Sequence, residues 1–242
     1  MNTAKIQRIG ILGGMGPEAG LALLAKVFEA EGARRDQEHL PAVLDSDPTI
    51  PDRTAFLMGR GPDPLSAMIA AGRRLEACGV TVGGMGCMTA HAFLEGLRAA
   101  LGFRLLSAFE ELAAYLGRRH PTARRIGILA TSGSRKVGIY ERNLGGYSCL
   151  WPSPEEQESL VMESIYGPRG IKAGFRGEEP RSLLRRAAHG LAAAGADLVV
   201  AGCTEVPLAL TQAVLELPLL DPMRILAEAL VREARAGTAP AR

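Results

Sequence analysis

The stretch Arg8-Ile9-Gly10-Ile11-Leu12-Gly13-Gly14-Met15-Gly16-Pro17-Glu18 contains the unit from which the chain is built. Its aliphatic residues read as a strand over Arg8–Leu12, and the glycines that follow read as a tight turn. Pro17, just after Gly16, stands at a first helical position, where Glu18 complements the helix dipole. Strand, turn and helix then alternate along the chain, the βαβα pattern of a parallel sheet. Further strands are expected at Ala42–Asp45, Val80–Gly84, Arg104–Leu106, Ile126–Ala130, Leu198–Ala201 and Leu219–Leu220. Helices are expected at Pro17–Glu31, Pro64–Cys78, Ala90–Leu101, Ala108–Gly117, Lys136–Leu144, Glu155–Tyr166, Pro180–Ala194 and Met223–Ala236. Gly79 and Gly195 serve as C-terminal stops for two of them.

The opening motif returns. Arg8-Ile9-Gly10-Ile11-Leu12 reappears as Arg125-Ile126-Gly127-Ile128-Leu129, 117 residues on. Gly86-Cys87-Met88-Thr89 reappears as Gly202-Cys203-Thr204-Glu205 at an offset of 116, and Leu105-Leu106 as Leu219-Leu220 at 114. Three signatures in one order at nearly one spacing imply two halves of the same topology. The expected fold is therefore α/β, two pseudo-symmetric doubly wound parallel-sheet lobes. The boundaries are 1–107 and 108–219, with the segment from about 220 to 242 packing back on the first lobe. In such sheets ligands bind beyond the carboxyl ends of the strands, here in the cleft between the lobes.

Composition narrows the function. The chain has 242 residues, enough for one large domain or two half-size lobes. A formal net charge of +2, with arginine pairs on helix flanks and in loops, leaves no basic stripe for nucleic acid. The N-terminal stretch has no secretory pattern, and no apolar run reaches about 18 residues, so neither export nor a membrane partner is expected. A cytoplasmic location follows, where four cysteines are expected as thiols. None has metal-ligand spacing to a histidine, so no metal site is expected.

Two of those thiols carry the chemistry. Cys87 and Cys203 each stand where an apolar strand ends and a helix begins, a position whose free amides favour a thiolate. In pseudo-symmetric lobes the pair faces across one cleft. Two thiols on opposite sides of one carbon suit removal of a proton from one face and its return to the other. Cys78 and Cys149 read as buried small hydrophobes. His91 is a candidate partner of Cys87, and His39 stands in a loop before a strand. His120 and His189 read as surface residues.

The runs GILGGMGPEA, DQEHLPAVLDSDPTIPDRTA, GCMTAHAF, IKAG and GCTEVPLAL resemble those of the aspartate/glutamate racemases that work without pyridoxal phosphate, aspartate racemases most of all. The resemblance extends from about Ile9 to Asp221 in the family's order. It implies a homodimer with no organic cofactor, acting on a small amino acid or dicarboxylate. The family's catalytic cysteines fall on Cys87 and Cys203, and its glycine-rich first turn on Gly14, Met15 and Gly16. Its carboxylate-gripping arginine falls on Arg53, and the lysine of the other lobe on Lys172. Thr89 and Thr204 flank the cysteines, Glu205 follows the second, and Thr131 and Ser132 open a loop suited to a carboxylate. Two cations for one small molecule point to aspartate or glutamate.

One position departs from the family. Where it has Pro-Cys-Asn-Thr, this chain has Gly86-Cys87-Met88-Thr89, replacing an amide by a thioether that is only a weak acceptor. That leaves open a related enzyme with a shifted substrate, or a protein that binds a dicarboxylate or amino acid without turnover. Hydantoin racemases, arylmalonate decarboxylases and maleate isomerases share the architecture. A third reading takes Gly10 to Gly16 as a nucleotide-binding turn, although the stretch lacks the G-x-G-x-x-G spacing and the next acidic strand end, Asp45, is farther than the usual interval.

Overall fold

In the computed structural model, which describes residues 7–236, β1 (Ile9–Gly13) leads through the glycine turn into α1 (Pro17–Glu31). Residues 1–6, part of the stretch read as lacking a secretory pattern, and 237–242, the end of the returning segment, lie outside the described residues. The chain continues through β2 (Ala42–Ser46), α2 (Arg53–Leu57), α3 (Leu65–Ala77), β3 (Val82–Met85), α4 (Leu94–Ala100), β4 (Arg104–Leu105) and α5 (Ala108–Arg119). Then come β5 (Arg125–Ile128), α6 (Ser132–Lys136), α7 (Ile139–Asn143), β6 (Ser148–Leu150), α8 (Pro154–Glu156), α9 (Glu163–Tyr166), α10 (Glu178–Ala193), β7 (Leu198–Val200), α11 (Val206–Ala209), β8 (Leu219–Leu220) and α12 (Pro222–Ala236).

Two parallel four-stranded sheets result, in the orders β2-β1-β3-β4 and β6-β5-β7-β8. Their registers carry the sequence repeat: Ile9 pairs with Val82 and Gly83 with Leu105 in one, Ile126 with Leu198 and Val199 with Leu219 in the other. The expected fold class, two parallel-sheet lobes of one topology with helices around them, is what forms. Among the described residues no helix is long and apolar enough to cross a membrane.

The chain divides into two compact units. One takes in Pro62–Glu111 with the chain up to Asp52 and from Met223 on; the other is Arg53–Gly61 with Leu112–Pro222. The first unit centres on Leu12, Met68, Leu75, Met85, Leu97 and Phe103, all buried. The second centres on Leu129, Val161, Leu184, Leu191, Val199 and Val206. Each such side chain contributes about 1.5–3 kcal/mol by leaving water.

Several expected elements change. The helix expected at Lys136–Leu144 is two short ones, α6 and α7, because Gly138 takes a left-handed φ of 58° between them. The chain at Ala90–Leu101 starts as a 3₁₀ turn, Thr89–Phe93, before α4. Around Glu155–Tyr166 the helix starts a residue earlier, at Pro154 after a Ser153–Glu156 capping box, and Gln157–Met162 winds as a π-helix. Strand β6 and helix α2 were not anticipated: β6 is three residues long, and α2 is five in a run rich in turn formers. Cys78 is exposed at the surface end of α3, and Cys149 is half-buried on β6 with its thiol pushed up to about 12 by burial, then by Glu141.

Candidate active site

In the first unit the turn after β1 lies against the end of β2. Gly14 has φ of 83°, and a Cβ there would collide with the Asp47 backbone, so glycine alone fits. Asp47 is fixed by Thr49, whose amide and hydroxyl both reach Oδ1, and by Arg74, which also forks onto Asp45. Met15 is buried beside Leu12 and Ile50 in the same core as Cys87.

Cys87 lies two residues beyond the last residue of β3 and is only 6% exposed; Met88 and Thr89 are buried after it. His91 does not meet the Cys87 thiol. Its Nδ1 lies 3.1 Å from the Cys87 carbonyl oxygen and 3.2 Å from that of Met88, and its Nε2 accepts from the Ala108 amide at 3.0 Å. His39 is engaged elsewhere, bonded to Glu31 at the end of α1 and set edge-on to Phe28.

The second unit gathers more of the expected residues. Cys203, 5% exposed, follows β7, and its Sγ donates to Glu205 Oε2 at 2.8 Å. The Thr204 hydroxyl donates to the same oxygen at 3.1 Å, and Lys172 Nζ donates to Oε1 at 2.5 Å. Lys172 also lies over the Tyr166 ring. Burial works to raise the Glu205 pKa, yet the Lys172 ammonium and the Cys203 S–H together hold it below the usual carboxylate range. Burial raises the Cys203 thiol well above its ordinary value and the Glu205 charge adds to this, with Lys172 offsetting part. The helix that follows, α11, is a single turn and starts three residues after Cys203.

Thr131 caps α6 by accepting from the Ser134 amide at 3.3 Å, and Ser132 donates to Glu158 Oε1 at 2.6 Å. Arg53 opens α2 and is buried in this same unit, where α2 packs on α6. A Cβ on Gly133 would come within 2.9 Å of Thr54 Cα, so that glycine allows the two short helices to touch. Sequence reasoning missed three residues here. Tyr140 donates its hydroxyl to the Gly202 carbonyl at 2.6 Å, directly before Cys203. Gln157 donates to the Ala130 carbonyl at 2.9 Å, and Glu158 receives Ser132. None belongs to a motif, since each acts across an interval of 25 residues or more. Among the described residues no group of three or more His, Cys, Asp or Glu is placed to hold a metal ion.

The model of the Asp/Glu/Hydantoin racemase family matches residues 12–230. The chain belongs to that family. Within it, the broad specificity amino-acid racemase RacX of Bacillus subtilis (strain 168) is 26% identical over 230 residues, covering 92% of this chain and 96% of that protein. The structure of Picrophilus torridus aspartate racemase superposes with a TM-score of 0.83 at 26% identity, covering 95% and 94% of the two chains. A glutamate racemase from Francisella tularensis, at 13% identity, shares the fold with a TM-score of 0.69 over 96% of this chain and 82% of that one. Membership makes this chain an amino-acid racemase of the class that works without pyridoxal phosphate.

Proposed function

We propose that the enzyme racemises aspartate or glutamate, with Cys87 and Cys203 as an opposed acid/base pair at the α-carbon. The observation that carries the reading is the chain Cys203–Glu205–Lys172. It supplies a buried thiol with a carboxylate at hydrogen-bond distance and a cation that steadies the carboxylate. Cys203 rests as the thiol and returns a proton, while Cys87 takes the α-proton from the other face. In the reverse direction the roles exchange: Cys203, left as the thiolate after giving up its proton, takes the α-proton, and Cys87 returns the proton it gained. Arg53 and backbone amides beside Thr89, Thr204 and the turn at Met15 and Gly16 neutralise the substrate carboxylate, where the carbanion's charge collects. Thr131 adds a hydroxyl on the second unit's side. The reading includes a homodimer, which rests on the family resemblance, and a cytoplasmic location, which rests on the sequence pattern.

A second reading takes amino acids other than dicarboxylates as substrate. It is favoured by the engagement of Lys172 with Glu205, which reduces its hold on a distal carboxylate, and by the apolar Met88. The relative from Bacillus subtilis carries broad specificity in its name.

The test is α-proton exchange in D₂O across the proteinogenic amino acids in both configurations. Fastest exchange on aspartate or glutamate supports the first reading, and fastest exchange on a neutral amino acid supports the second. Cys87→Ser and Cys203→Ser are each expected to abolish racemisation. Full activity in either variant removes the two-base assignment.

A further inference from the structure

His91 is buried, sits in the 3₁₀ turn after Cys87, and is used by no step described above. Its ring joins the backbone at Cys87 and Met88 to that at Ala108, 17 residues beyond His91. Because the Ala108 N–H points at Nε2, that nitrogen is the acceptor and the ring proton resides on Nδ1. Nδ1–H is then shared between the carbonyls of Cys87 and Met88. The ring also satisfies one of the amides that the start of α5 leaves without an intrahelical partner. Phe109 stands edge-on at 5.4 Å between ring centroids and closes one side of the imidazole. Burial keeps the ring neutral, with its pKa lowered to about 4, so the arrangement persists at neutral pH.

We propose that His91 is a positioning residue for the first thiol: it holds the Cys87 carbonyl relative to the first turn of α5 and thereby sets the direction of the Cys87 side chain. The peptide unit is planar, so a fixed carbonyl fixes the plane that leaves Cys87. On the other side of Cys87 the Gly86 amide donates to the Leu12 carbonyl at 3.0 Å. With the chain held before and after it, rotation about the Cys87 backbone bonds is restricted, and the Cα–Cβ bond carrying Sγ is directed relative to β3 and α5. Tyr140 holds the Gly202 carbonyl in a similar manner just before Cys203. The inference rests on Cys87 being an acid/base group.

The two bonds of the ring can be separated by substitution. His91→Asn keeps an N–H near the position of Nδ1 and loses the acceptor for Ala108; His91→Gln reaches the position of Nε2 and loses the donor to Cys87. Assayed on the L/D pair that the unmodified enzyme exchanges fastest in D₂O, His91→Gln is expected to lose about 10- to 100-fold in kcat with KM within about threefold. His91→Asn is expected to restore most of that loss, although its thermal midpoint falls as far. In His91→Gln the α-deuterium isotope effect should rise for one enantiomer, the one whose proton goes to Cys87. Iodoacetamide labelling located by mass spectrometry gives a readout independent of turnover: the Cys87 rate relative to Cys203 changes in His91→Gln and not in His91→Asn. Equal kcat in both variants, a rise for both enantiomers alike, or a labelling ratio unchanged in both overturns the proposal. Full activity in Cys87→Ser, or no exchange by the unmodified enzyme, is a different failure, that of the racemase reading beneath it.

Discussion

The Cys203 thiol donates to Glu205 across 2.8 Å, and the same carboxylate is held by Lys172 at 2.5 Å. A negative charge next to a thiol opposes its ionisation, and a cation beyond it favours ionisation. Replacing Glu205 by Gln removes the first and leaves the second. In a Cys87→Ser background, the pH midpoint for alkylation of Cys203 is therefore expected to move down in Glu205→Gln and up in Lys172→Met. Midpoints that stay together across the three proteins would show that the triad does not govern the thiol.

Tyr140 supplies the only hydrogen bond to the Gly202 carbonyl found among the described residues, at 2.6 Å. Tyr140→Phe keeps the ring against Trp151 and deletes the donor. The loss is expected to be about 1–2 kcal/mol, since a buried acceptor is left unmatched. Urea unfolding read by far-UV circular dichroism measures it, and an unchanged midpoint contradicts the account.

Gly14 and Gly145 offer a matched pair of glycine substitutions. Gly14→Ala places a Cβ at φ of 83° and against the Asp47 backbone, whereas a Cβ on Gly145 meets nothing within 4 Å. The left-handed conformation alone costs about 1–2 kcal/mol, and displacing the Asp47 turn adds to that. Gly145→Ala is expected to be neutral or to stabilise by about 0.4–1 kcal/mol through the unfolded chain. Differential unfolding of the two variants settles the comparison.

His91 gives stability a pH dependence whose sign is set by its lowered pKa. The ordinary value is 6.5 and the folded value about 4, so between them the unfolded chain binds a proton that the folded chain refuses. Stability is intact above about 6.5 and falls as pH drops towards 4, by up to about 3 kcal/mol. Carboxylates with lowered pKa values, such as Glu110 and Asp197, act below their ordinary 4.5 and 3.8, in a lower window. Denaturant midpoints measured from pH 7 to 4.5 should decline, and the decline should flatten in His91→Asn. A flat profile in the unmodified protein contradicts the burial argument.

Much of the fold was legible because its cause is local and repeated. Apolar runs at Ile9–Leu12 and Leu198–Val200, glycines behind them and caps such as Pro17 act over a few residues, and the offsets near 116 anticipate the matched registers of both sheets. What failed were short elements. Three residues of β6 and five of α2 carry too little periodicity to be seen, and Gly138 was read through as helix. The π-helical winding of Gln157–Met162 has no mark in the sequence that distinguishes it from an α-helix.

For the candidate site the division is similar. Sequence by itself determined the family, the doubled α/β topology and the placement of Cys87 and Cys203 at equivalent strand ends, because motif order and strand periodicity are properties of neighbouring residues. Tertiary structure alone decided that Lys172 answers to Glu205, that His91 bonds backbone carbonyls, and that the Cys203 thiol meets Glu205. The first joins residues 33 apart in the chain, which no local pattern encodes; the other two lie within four residues, and there burial and the fold around them decide which atoms meet.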